Sequence, residues 1–129
     1  MKAILVLLAF AVFAFADAFN DGAAAANRSD RQEAVKQSTQ AIKIVPNDAK
    51  AYYNRGNSYF ELGDYSKAIE YYTKAIEIDP NHVDAYNNRG NSYGKLYNYK
   101  KATKDARKAC DLGNCKVLKW LGENHKIDD

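Results

Sequence analysis

Asn54-Arg55-Gly56-Asn57-Ser58-Tyr59 returns as Asn88-Arg89-Gly90-Asn91-Ser92-Tyr93, the same six residues 34 positions further on. The register holds outward from this core. Tyr52 falls on Tyr86, Leu62 on Leu96, Tyr65 on Tyr99, Lys67-Ala68 on Lys101-Ala102 and Ala75 on Ala109. It also holds backwards, with Ala34 on Ala68, Ala41 on Ala75 and Pro46-Asn47 on Pro80-Asn81. Self-similarity at a fixed period of this order marks a stacked repeat, whose units bury their apolar faces only against one another. The chain therefore holds two full units, 49–82 and 83–116, after the second half of an earlier one, 31–48.

Each unit reads as two helices. Tyr52, Gly56, Tyr59 and Leu62 recur at spacings of four and three, one face of a helix. Gly63-Asp64 breaks it, and Tyr65, Ala68, Ile69, Tyr72, Ala75 and Ile76 form a second face that ends at Asp79-Pro80. Gly56 and Gly90 stand mid-helix, where glycine costs about 1 kcal/mol against alanine. The same cost at one repeat position predicts a close approach that leaves no room for a side chain. The chain departs from its own pattern in the second unit. Tyr97 replaces the turn Gly63, Ala106 replaces Tyr72 and Asn114 replaces Pro80. Its second helix should pack less tightly or meet a different neighbour.

An aromatic at the fourth position, Gly at the eighth, Tyr at the eleventh, Ala at the twentieth and twenty-seventh and Pro at the thirty-second resemble the tetratricopeptide repeat. Tyr52, Gly56, Tyr59, Ala68, Ala75 and Pro80 carry that pattern here, and Tyr86, Gly90, Tyr93, Ala102 and Ala109 repeat it. The resemblance covers 31–122 and implies an all-α fold, a short right-handed solenoid of antiparallel helix pairs with about six helices. It ends in a capping helix over 115–122, with Trp120 at the fourth position of a third frame, and then a polar tail, 123–129.

The N-terminus reads differently. Met1-Lys2 precede an apolar run, Ile4 to Ala16, that closes on Ala14-Phe15-Ala16. A positive start, a short apolar core and a small-x-small end read as a cleavable signal peptide, 1–16. The run would cover about 20 Å as a helix, short of the roughly 30 Å hydrocarbon core. Export, periplasmic or secreted, is the expected localisation, with no membrane span in the mature chain. Residues 17–30 are expected to be a short helix or a disordered lead.

Composition narrows function. A formal charge of +3 on 129 residues, with both signs well mixed, gives no argument for nucleic acid. His82 and His125 lie in a turn and a tail, with no partner at metal-ligand spacing, and no phosphate loop or nucleophile elbow occurs. No catalytic residue, metal or cofactor is assigned.

What remains is a surface. In proteins that this chain resembles, the first helix of each unit lines a concave groove. Carried over by position, the groove is Lys50, Tyr53, Asn54, Asn57 and Phe60 in one unit, and Asn87, Asn88, Asn91 and Lys95 in the next, with Gly94 leaving a hollow. Asparagine both donates and accepts, so it suits an extended peptide backbone. Asn57 and Asn88 match the asparagines of a clamp that binds carboxylate C-termini in chaperone-partnering relatives, while Tyr53 stands where that clamp has lysine. Cys110 and Cys115 flank a turn and read either as a disulfide or as two free thiols. The expected function is binding of a protein or peptide partner. The alternative is a structural, self-associating unit of an envelope assembly. A small helical-repeat hydrolase is a third class.

Overall fold

The computed structural model describes residues 27–125, which form helices joined by short connections. Helix α1 runs over 27–44 of the described residues. It is followed by α2 (Ala49–Glu61), α3 (Tyr65–Ile78), α4 (Val83–Lys95), α5 (Tyr99–Asp111) and α6 (Lys116–His125). The two units are the pairs α2–α3 and α4–α5, and α6 follows as the first helix of a third frame. The fold is thus the all-α solenoid of paired helices that the repeat predicts.

Helices α2 to α6 each start on a side-chain cap, which satisfies a backbone N–H that the first turn leaves unpaired. Asp48 accepts from the Lys50 N–H and Asp64 from the Lys67 N–H. One period on, His82 accepts through Nδ1 from the Ala85 N–H, and Asn98 accepts from the Lys101 N–H. His82 is therefore the repeat counterpart of an aspartate cap. Asn114, in place of proline, accepts from the Lys116 N–H and starts α6.

The seams between helices are built from small residues. Ala68, Ala75, Ala85, Ala102, Ala106 and Ala109 are all fully buried. The glycine expectation has two physical forms. A Cβ on Gly56 would lie 2.6 Å from the Tyr72 ring, whereas one on Gly90 would lie 3.2 Å from the Ala102 carbonyl oxygen. With Ala106 in place of an aromatic ring, the α4 and α5 backbones come together directly. Ala106 also meets a different neighbour, packing with Val117 and Leu121 of α6.

Two boundaries differ from expectation. The described part of the lead, 27–30, is helix continuous with 31–44. The capping helix expected over 115–122 runs on to His125. Its last turn is held because the His125 ring stacks on Tyr99 at 4.2 Å, and the Asn124 side chain donates to the Trp120 carbonyl. The signal peptide expected at 1–16, most of the lead and the end of the tail lie outside the described residues. No helix among the described residues is long and apolar enough to cross a membrane.

Candidate peptide-binding groove

The first helices of successive units, α2, α4 and α6, touch in series. They line a cavity of about 800 Å³. Phe60 of α2 reaches it, α4 contributes Asn87, Asn88, Asn91, Gly94 and Lys95, and α6 contributes Val117, Trp120 and His125. Five of the nine groove residues read from the sequence line this cavity: Phe60, Asn87, Asn88, Asn91 and Lys95.

The other four sit elsewhere. Lys50 and Asn54 are exposed outside the cavity. Tyr53 and Asn57 belong to an internal network. Asn57 Oδ1 accepts from the Tyr72 hydroxyl at 2.5 Å and from Asn88 Nδ2 at 2.9 Å. Asn88 Nδ2 also donates to the Tyr53 hydroxyl at 3.1 Å. A carboxamide oxygen accepts about two hydrogen bonds, so that of Asn57 is saturated from within the protein. Burial first, and the neighbouring Tyr53 second, push the Tyr72 phenol above the usual tyrosine range. The network ties α2, α3 and α4 together at the groove wall. The two asparagines that match the clamp pattern are thus mainly cross-links.

Asn87 and Asn91 differ. Asn91 is half-buried and has no side-chain hydrogen bond to another described residue. Asn87 is 6% exposed, and its Oδ1 has no donor among the described residues.

The sequence reading missed the far wall. Tyr97, Tyr99, Asn114, Lys116, Trp120 and His125 all line the cavity. The rings form a chain: Tyr97 on Tyr99 at 6.4 Å, Tyr99 on His125 at 4.2 Å, and His125 on Trp120 at 5.1 Å. Trp120 carried a signal, since it falls at a repeat position. It is 48% exposed rather than buried like a capping residue. His125 carried none, because only the extra turn of α6 brings it back to Tyr99. Across the turn that ends α5, Cys110 and Cys115 are joined as a disulfide. Among the described residues no group of three or more His, Cys, Asp or Glu could hold a metal ion.

Stacked helix pairs with a groove along their first helices define a helical-repeat module of the α-solenoid class. Tetratricopeptide repeat models match residues 49–82 and 71–104, and a TPR repeat model matches 28–63. The Arabidopsis OM64 TPR domain is 36% identical, with 79% of this chain and 85% of that one covered at a TM-score of 0.69. The chain belongs to the tetratricopeptide repeat family. MamA is 34% identical at a TM-score of 0.63, over 64% of this chain and 48% of that one, so this chain spans about half of MamA. The first TPR of Spaghetti (RPAP3), solved with the HSP90 peptide SRMEEVD, is 22% identical. It covers 81% of this chain and 84% of that one at a TM-score of 0.70, a likeness of fold. No curated protein matches the chain.

These relatives correct the expected localisation. MamA, the OM64 domain and the RPAP3 domains are cytoplasmic or membrane-cytosolic proteins, not periplasmic or secreted ones. The expectation of export rested on the order of a positive start, a short apolar run and a small-x-small end in residues 1–16, which lie outside the described residues.

Proposed function

We propose that the chain is a protein–protein interaction module that holds an extended partner segment in the groove between α4 and α6. The observation that carries this reading is the unspent hydrogen-bonding capacity on the α4 wall. Asn91 has no side-chain hydrogen bond to another described residue, beside a cavity that is open and partly aromatic. A peptide backbone offers both a donor and an acceptor to such carboxamides. The Spaghetti (RPAP3) domains hold the peptide SRMEEVD, so this fold can seat an extended segment. The ligand we infer is not a chaperone C-terminus. Tyr53 stands in the place of the clamp lysine, and its hydroxyl takes up Asn88.

The test is selection of a random-peptide display library on the full chain, followed by binding measurements with the selected peptides. Asn91→Arg should abolish their binding while helicity by circular dichroism stays at wild-type level. Selection of no peptide, or undiminished binding to Asn91→Arg, would refute the groove reading.

One observation favours a second reading, self-association. Ala34 and Ala41 of α1 are exposed where their counterparts Ala68 and Ala75 are fully buried, and Ile44 beside them is 80% exposed. This face is uncovered among the described residues. A concentration-dependent dimer in sedimentation that Ile44→Glu dissolves would support association through it. A monomer at all concentrations would exclude it.

A further inference from the structure

Phe60 and Gly63 in the first unit correspond to Gly94 and Tyr97 in the second. The ring and the glycine have changed places, and both second-unit positions run against local backbone preference. Gly94 sits inside α4, yet a Cβ there would meet nothing within 4 Å, so no helix contact requires a glycine. Gly56 and Gly90, by contrast, are each crowded by a neighbour. Tyr97 adopts φ +60°, a left-handed conformation that its counterpart Gly63 takes at φ +80° without a side chain to strain. Packing does not repay this, since Tyr97 is 80% exposed. Both positions line the same cavity.

Departures from local preference that the fold itself does not need concentrate at functional sites. Gly94 opens a hollow in the groove wall. Tyr97 sets an aromatic face at its mouth, in series with Tyr99, His125 and Trp120. The half-exposed indole of Trp120 completes an apolar recess. Exposed aromatics gathered around a recess are the usual setting of a binding hot spot. The charges are one-sided. Lys95 and Lys116 line the cavity against a single acid, Asp84. Asp84 lies eleven residues before Lys95 on α4, roughly 16 Å along the helix, so it leaves the Gly94 end positive.

We infer that this end of the groove is an anchor pocket for a large apolar or aromatic side chain of the partner segment, with a neighbouring carboxylate of that segment meeting Lys95. The inference rests on the groove reading and adds the chemistry of its ligand.

The peptides selected on the full chain are the probe. They are expected to carry an aromatic or large aliphatic residue within two positions of Asp or Glu. Trp120→Ala should weaken their binding about tenfold, and Lys95→Glu should weaken it by about the same factor. Tyr97→Gly separates a binding role from a packing role. It should raise the melting temperature, because glycine suits the left-handed backbone, and should lower peptide affinity by roughly fivefold. Peptides that lack the anchor, or that bind Tyr97→Gly and Trp120→Ala as tightly as wild type, would overturn the pocket while loss of binding to Asn91→Arg keeps the groove. A fall in melting temperature on Tyr97→Gly would also overturn it, by making Tyr97 a packing residue. If no peptide is selected, or if Asn91→Arg binds as wild type, the pocket falls together with the groove.

Discussion

Arg89 places its guanidinium across both oxygens of Asp105, Nε and Nη2 each 2.7 Å from one of them. The pair is largely out of water, with side chains 16% and 5% exposed. Burial alone would lower the pKa of Arg89, but the hydrogen bonds and charge of Asp105 more than reverse this and hold it above its ordinary value. Arg89 Nη1 also donates to Thr73 of α3, so one side chain joins both units. The counterpart pair in the first unit is Arg55 over the Tyr71 ring at 4.2 Å. One repeat position thus fastens its helix pair by a cation–π contact in one unit and by an ion pair in the next.

Removing Asp105 alone should be severe, because it strands a cation in the seam. Asp105→Ala is expected to cost about 3–5 kcal/mol in urea unfolding, while Arg89→Met with Asp105→Leu should recover most of the loss. A double variant as unstable as Asp105→Ala would show that the charges themselves are needed.

The glycines of α4 should respond in opposite directions. Gly90→Ala forces a Cβ toward the Ala102 carbonyl, backbone that cannot turn away, and should cost about 1–3 kcal/mol. Gly94→Ala enters open space and should gain about 0.5–1 kcal/mol from helix propensity. The shift in urea midpoint at constant slope reads both.

The buried Tyr72 makes stability fall in alkali. Its folded pKa lies above the value near 10 of an exposed tyrosine, so above that pH the unfolded chain loses the proton first. The contribution is whole below pH 10 and is lost progressively as the pH rises beyond it. Tyr72→Phe should cost about 1 kcal/mol at pH 7 through the lost bond to Asn57, and should flatten the alkaline decline. Denaturant unfolding at pH 8, 10 and 11 compares the two slopes.

The Cys110–Cys115 bridge closes a short loop between α5 and α6. Loop entropy for so few residues gives about 2 kcal/mol. Reductant should lower the melting temperature accordingly, and amide exchange should quicken first in α6. Uniform exchange throughout the chain would show that the bridge does not act on the cap.

The helix pairs, their turns and their alanine seams were legible in the 34-residue register, because a repeat writes each packing position more than once. Local chemistry likewise announced the breaks at Gly63 and Pro80. Five of the fourteen residues that line the cavity, Phe60, Asn87, Asn88, Asn91 and Lys95, were reached by counting positions. Counting could not tell Asn91, which has no side-chain hydrogen bond to another described residue, from Asn57, which is saturated, since both occupy one repeat position. That difference depends on where the Tyr72 hydroxyl ends, and the second unit has Ala106 in its place. The aromatic far wall lay beyond the last complete repeat, where periodicity falls silent. There the packing of Val117 and Leu121 on Ala106 sets the line of α6, and with it the meeting of His125 and Tyr99. Sequence determined the architecture because stacked repeats are held by contacts between near neighbours along the chain. Tertiary structure decided which polar groups remain unspent, because that depends on distances between atoms that the repeat pattern does not carry.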